Sequence, residues 1–478
     1  MHDFDRRCVA DSRGRAFMTP DNLAPSSRTS ALSGRVKRYA KVGSSVGSLA
    51  TKLAGMRYFG IDIDRTAHAD EIKTILGELK GPIMKVAQIL AMIPHAVPTE
   101  YAQAFGDLQS NAPPMGWPFV KRRMAFELGQ DWQSLFAEFP RQATAAASLG
   151  QVHKARTQEG HLVACKLQYP DMATAVDADL RNLKLLLNIF ERYDKAIATD
   201  EIFDEIAGRL WEELDYQRER QHMALYRHMF ADLEGVRIPQ PLEALSTDRL
   251  MTATWLEGQH VMTLKDMPQK LRDQVAYNIF QAWYVPLYRY GVLHGDPHAG
   301  NYSVISKQTN PDTHAPEGTL NLLDFGCVRI FPPKLVSGVI TLYRALQTDD
   351  AKMTAEAYEM WGFRDLNKEL IGTLDIWARF IFGPVLDNRR RLIDPRGGEV
   401  YGRAEAQKVH IELRKHGGVK PPGEFVFMDR AALGLGSVFI HLAAKINWYK
   451  LFNEMIEDHD EDALQARQTK TLTRFDLC

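Results

Sequence analysis

Lys166, Asp296, Asn301 and Asp324 are the residues of this sequence whose types and order could do chemistry. Asp296 and Asn301 stand five residues apart in His294-Gly-Asp-Pro-His-Ala-Gly-Asn301, a Gly- and Pro-containing loop after a long helical pattern. Asp324 ends an apolar run in Leu322-Leu-Asp-Phe-Gly326. Carboxylate and amide oxygens suit Mg2+, a hard cation that prefers oxygen to nitrogen. His294 and His298 could also be metal ligands, but fixing the loop through hydrogen bonds suits imidazole better here. Upstream, Val163-Ala-Cys-Lys-Leu-Gln168 alternates as a strand, with Ala164 and Lys166 on one face and Val163, Cys165 and Leu167 on the other. A small residue beside a lysine leaves room for a base ring and aims an ammonium at its phosphates. Thr144-Ala-Ala-Ala-Ser-Leu-Gly-Gln151 adds a turn of small side chains, including Ala145, Ala146, Ala147 and Ser148, that lets backbone N–H groups approach phosphates. Alone, such a turn is usually packing and such a lysine usually sits in solvent. The ordered combination is what points to ATP and Mg2+.

Strands, helices and turns must hold these groups. Strand signals begin near residue 145 and cover 152–156 and 162–168, separated by a turn at Glu159-Gly160. Helical stretches follow from Met172 to about Phe230. A further strand over 249–255 ends at a hinge candidate, Glu257-Gly258. The pattern predicts a long helix over 271–290 and two short strands flanking an insertion at 307–318. From residue 334 to about 457 it is helical only. Before the strands, residues 64 to about 123 read as helical, broken at Gly81-Pro82, with Pro118 as the first residue of a new helix.

Asp296, Asn301 and Asp324, downstream of a strand lysine, follow the catalytic-loop and DFG pattern of protein kinases. The chain resembles the UbiB/ADCK (AarF/UbiB-type) family of atypical protein-kinase-like proteins, linked to coenzyme Q (ubiquinone) biosynthesis. The resemblance runs from about Leu76 to about Ile330. Ala145-Ala-Ala-Ser-Leu-Gly-Gln-Val-His153 is similar to that family's Ala-rich loop, and Lys166 with Tyr169-Pro170 to its strand lysine segment. Glu213-Leu-Asp-Tyr-Gln-Arg-Glu219 is similar to the ExD motif followed by the helix glutamate. By that match Glu219 pairs with Lys166, while Glu213 and Asp215 face the pocket. Composition alone would make this acidic cluster a solvated helix face. Lys85-Val-Ala-Gln88 resembles the KxGQ signature, with Ala87 where the family usually has Gly. In the family that helix covers the place of a peptide substrate. Ala299 stands where many members have Pro.

The resemblance implies an α+β, bilobal, protein-kinase-like fold with a helical N-terminal extension and a helix-rich C-lobe. It implies that Lys166 grips the phosphates, Glu219 positions it, Asn301 and Asp324 hold Mg2+, and Asp296 orients a hydroxyl or water. With Lys85, Gln88, Glu213 and Asp215 crowding the acceptor side, it favours slow ATP hydrolysis over protein phosphorylation, coupled to handling quinone-precursor lipids. Other quinone-biosynthesis proteins are the expected partners. A small-molecule phosphotransferase is an alternative, because the His294–Asn301 loop also resembles that of aminoglycoside and choline kinases. A nucleotide-gated scaffold without turnover is another.

Bulk composition narrows these classes. The 478 residues are 45% hydrophobic and 25% charged, with a net charge of −1 that offers no field for nucleic acid. Cys8, Cys165, Cys327 and Cys478 are widely separated, which suits neither a zinc site nor a disulfide framework. No run reaches the roughly 18 apolar residues of a membrane span. Residues 22–61 contain no acid and seven Lys or Arg, so a basic leader is predicted over 1–62: mobile, or lying on an anionic membrane surface. Asp3, Asp5 and Asp11 count against a transit peptide, and Met18 is a second candidate start. The predicted organisation continues with a helical extension over 63–140, an N-lobe over 141–258 and a C-lobe over 259–478. The expected location is cytoplasmic, peripheral at the inner membrane.

Overall fold

A computed structural model of the chain describes residues 115–147, 149–193, 199–305, 315–395, 402–415 and 422–477. These fall into two compact units. The first has its described part within 146–150 and 169–211, and the second comprises 115–145, 151–168 and 212–477. The basic leader and the Lys85–Gln88 element lie outside the described residues.

In the first unit, α2 (Met172–Tyr193) buries Val176, Leu180 and Leu183, which the helical repeat places on one face. In α3 (Thr199–Glu212), Ile206 and Leu210 are buried one turn apart. The helical stretch expected up to Phe230 is thus divided, and its last part, α4 (Tyr216–Met229), belongs to the second unit. Asp215 makes that break. Its carboxylate accepts from the Arg218 N–H at 2.9 Å and caps α4, an arrangement aspartate favours because the first helical N–H groups lack partners.

Apart from Ala146 and Gly150, the three described sheets lie in the second unit. β1 (Phe136–Glu138), β3 (Gly150–Thr157), β4 (Leu162–Gln168) and β6 (Leu250–Thr254) lie in that order, with β2 (Ala145–Ala146) against β3. The turn between β3 and β4 rests on Gly160, whose φ of +87° is open to glycine. β4 alternates as its sequence predicts. Val163, Cys165 and Leu167 are fully buried with Val120 and Met124 of α1 (Trp117–Leu128), and with Trp132 and Phe136. β1 lies upstream of the first strand the pattern predicted, its three residues being too few to show alternation. α1 begins one residue before Pro118, which takes its second position.

The other sheets frame a loop. β5 (Val236–Arg237), β10 (Leu320–Leu322), β9 (Tyr302–Val304) and β7 (Gln259–His260) form one, and β11 (Val328–Ile330) with β8 (Val292–His294) forms the other. Behind them runs α5 (Gln269–Tyr290), with Ala276, Ile279, Ala282 and Trp283 fully buried. Buried on several sides, α5 has no single apolar stripe. Gly291 stops it in the left-handed conformation, φ +64°, with its N–H donating to the Leu287 carbonyl. A Cβ there would meet the Gln468 side chain and the Phe331 carbonyl.

The rest is helical, as the sequence predicts: α6 (Pro333–Thr348), α7 (Ala351–Met360), α8 (Lys368–Leu386), α9 (Arg403–Lys415), α10 (Gly423–His441) and α11 (Trp448–Ile456). A further helix, α12 (Glu461–Arg474), extends beyond the predicted limit near residue 457. It is strongly polar and buries only Leu464, Gln468, Thr471 and Leu472, too few to announce a core-facing stripe. The class is α+β with helices dominating the C-terminal part.

Candidate functional site

The strand face chosen for Lys166 puts its ammonium among carboxylates. Lys166 Nζ donates to Glu219 Oε1 at 2.8 Å and Oε2 at 2.9 Å, and stands 3.7 Å from Asp324 Oδ2. Lys166 and Glu219 are 18% and 2% exposed, against 39% for Asp324, so Glu219 is buried, Lys166 half-buried and the aspartate reaches solvent. Burial opposes charge on Lys166, but Glu219 and then Asp324 outweigh it and hold the ammonium well above its ordinary range. Burial pushes the Glu219 carboxyl up, against the pull of Lys166, and the neighbouring charges of Asp324 and Glu213 add to the push. Glu213 therefore lies close enough to act on the pair, whereas Asp215 is exposed at the start of α4. Ala164 pairs with Ala253 of β6, two residues along the strand from Lys166.

Two antiparallel pairings bring the loop and Asp324 together. β9 starts immediately after Asn301 and pairs with β10, which ends two residues before Asp324; the Leu323 N–H donates to the Asn301 carbonyl at 3.0 Å. β8, before the loop, pairs with β11, after Asp324. Within the loop, Asn301 Nδ2 donates to Asp296 Oδ2 at 3.0 Å and to the Asp296 carbonyl at 3.1 Å. This engages the amide nitrogen and leaves the amide oxygen as the end suited to a cation. Asp324 Oδ1 accepts from the Gly326 N–H at 3.0 Å, which fixes its rotamer.

Both loop histidines bond within the protein. His294 Nε2 lies 2.5 Å from the Asp324 carbonyl, while its Nδ1 accepts from the Asp296 N–H at 3.2 Å. The carbonyl can only accept, so the ring carries its proton on Nε2. His298 Nδ1 accepts from the Gly300 N–H at 3.1 Å.

Two residues outside the sequence-based site set belong here. Tyr216, the first residue of α4, is buried with its ring 5.2 Å from Lys166 Nζ, a cation–π distance. His222, one turn beyond Glu219, directs Nδ1 to the Phe325 carbonyl at 3.1 Å. His294 and His222 thus hold the successive carbonyls of Asp324 and Phe325, and Phe325 packs against Tyr226 and His294. Burial lowers the His222 pKa to about 3, and its Nε2 is buried without a partner among the described residues. In the sequence both residues look like ordinary helix positions; the contact to Phe325 spans 103 residues.

Of the small-residue turn, Ala145 and Ala146 form β2, the Ala147 N–H is engaged by the Gly150 carbonyl at 2.9 Å, and Ser148 lies outside the described residues. Among the described residues no three His, Cys, Asp or Glu side chains cluster to hold a metal by themselves. The set present, a half-exposed Asp324 carboxylate and the Asn301 amide oxygen, fits Mg2+ bound through one or two protein oxygens together with substrate phosphates.

A match to the ABC1 atypical kinase-like domain covers residues 107–358. The mitochondrial atypical kinase coq-8 of Caenorhabditis elegans is 28% identical over 395 residues, spanning 82% of this chain and 51% of its own length. The mitochondrial atypical kinase COQ8 of Saccharomyces cerevisiae is 24% identical, over 81% of this chain and 76% of its own. AarF domain-containing protein kinase 1 of Xenopus tropicalis is 30% identical, over 57% of this chain and 51% of its own. The chain spans about half the length of the worm and frog relatives it matches. Among solved structures, Rv3197 of Mycobacterium tuberculosis, determined with erythromycin, aligns with a TM-score of 0.57 at 24% identity, covering 82% of this chain and 96% of that one. That likeness shows a shared fold. With more than half of its residues matched, this chain belongs to the ABC1 atypical kinase-like family.

Proposed function

We propose that the chain binds Mg2+–ATP in this site and is an ATP-dependent atypical kinase or ATPase supporting coenzyme Q biosynthesis. The observation that carries the reading is Lys166, held by Glu219 at 2.8 Å and 3.7 Å from Asp324, beside the Asp296–Asn301 loop. Lys166 neutralises phosphate charge, and Glu219 keeps its ammonium at the cleft rather than in solvent. Asp324 and the Asn301 amide oxygen hold the metal, which when bound offsets negative charge on the phosphates. Asp296, fixed by Asn301, orients a hydroxyl or a water. By the sequence resemblance alone, the nucleotide is assigned to the small-residue turn and Ala164. By the same resemblance, Lys85 and Gln88, with Glu213, are assigned to the acceptor side, which favours water over a protein side chain. The direction toward quinone-precursor lipids rests on the sequence resemblance and on the likeness to the coq-8 and COQ8 kinases.

The test measures nucleotide binding, ATP hydrolysis with and without lipid vesicles, and quinone content of a deletion strain rescued by each variant. Wild type restores quinone and hydrolyses ATP, and Asp324→Asn does neither. Equal rescue by both would remove the catalytic reading. A phosphorylated metabolite formed stoichiometrically from ATP would replace hydrolysis by small-molecule phosphotransfer.

A further inference from the structure

Between α5, α6, α8, α10 and α11 the second unit forms a partly open cavity of about 110 Å³. Trp283, Tyr284, Trp377, Phe382, Leu435 and Phe452 are among its walls, and Asp429 of α10 is the carboxylate that lines it. The matched family region ends at residue 358, so α8, α10 and α11 lie beyond it. The cavity exists where this later helical part closes on the kinase-like core.

A void of this size among apolar walls accommodates one small ring; an engineered apolar cavity of about 150 Å³ binds benzene. The polar groups add a second requirement. Asp429 Oδ1 accepts from the Trp377 indole N–H at 2.6 Å, a neutral donor. Burial pushes the Asp429 carboxyl up to about 6, against the lowering effect of that bond. The Tyr358 hydroxyl, also in the wall, already donates to Asp375 at 3.0 Å. The indole N–H groups of Trp283 and Trp361, both lining residues, are buried without an acceptor among the described residues. A carboxylate in an apolar chamber is stabilised by any occupant that brings it a donor.

We propose that this cavity is a ligand site, separate from the nucleotide site, for a small and mainly apolar ring-bearing molecule whose single hydroxyl or ammonium donates to Asp429. Trp283 joins it to the neighbouring machinery, since its ring packs on His294 at 5.0 Å.

The full chain is titrated calorimetrically with 4-ethylphenol, benzylamine and toluene, with ATP affinity measured in parallel as a control for folding. At least one of the two donor-bearing rings binds saturably and about tenfold more tightly than toluene, as expected for a hydrogen bond to a charged acceptor. Which of them binds distinguishes hydroxyl from ammonium. Asp429→Leu erases the preference, and Ala432→Trp, which fills the cavity, removes binding while ATP affinity persists. Equal binding of all three rings, no binding of any, or binding that survives Ala432→Trp would overturn the proposal. If Ala432→Trp loses ATP affinity as well, Asp429→Asn decides, since retention of the full preference there refutes the role of the carboxylate.

Discussion

At the scale of single residues, charge and burial oppose each other at Glu219. Burial pushes its carboxyl up to about 7, so acidification removes the anion that holds Lys166. ATP turnover is expected to fall as pH drops below about 7, and Glu219→Gln to remove that limb while lowering turnover on the order of a hundredfold. A wild-type rate that stays flat between about pH 6 and about pH 8 would contradict this. On folding the same shift acts in the other direction. A carboxyl raised from 4.5 binds its proton more tightly in the folded chain, so its contribution is complete below 4.5 and lost as pH rises through about 7. His222 gives the opposite sign: lowered from 6.5 to about 3, it contributes stability above 6.5 that is lost as pH falls toward 3. His222→Leu also leaves the Phe325 carbonyl without its donor, at a cost of about 1–3 kcal/mol in urea denaturation. His222→Gln, which retains an N–H, recovers part of that loss and part of the turnover; a Gln variant no better than Leu would assign His222 to packing alone.

At the scale of elements, α4 carries Tyr216, Glu219 and His222 and is anchored by its first capping residue. Asp215→Ala is expected to destabilise the chain by about 1 kcal/mol, while Asp215→Asn, which can still cap, costs little. Urea midpoints measure both, and equal losses would mean that the cap bond at 2.9 Å carries no weight. Much of this level was legible in the sequence. The alternation of 162–168 identifies the buried face of β4, because period-two burial repeats along one short segment. β8 and β11 were not legible: each is three residues long, and each exists because the other is opposite it.

For the molecule as a whole, α12 returns to close the corner where α5 ends. Gln468 Nε2 donates to the Tyr290 and Phe331 carbonyls, both at 2.9 Å, joining chain segments 178 and 137 residues away. Gln468→Leu leaves those carbonyls without that donor and is expected to cost about 1–3 kcal/mol. Its urea midpoint falls, but turnover per folded molecule stays near wild type, since α12 contributes no side chain to the site. Loss of turnover in the folded variant would show that this corner governs the loop after β8.

Sequence by itself determined the chemistry on offer: a strand lysine, a helix glutamate, and Asp296, Asn301 and Asp324 in a fixed order. Those are properties of residue type and spacing, which a chain displays before it folds. Tertiary structure decided which atoms meet. Asn301 turns its amide nitrogen to Asp296, His222 reaches Phe325, and Asp429 faces a chamber built from helices that have no sequence motif. Each such contact depends on packing between segments far apart in the chain, and the free energy of that packing leaves no local pattern to read.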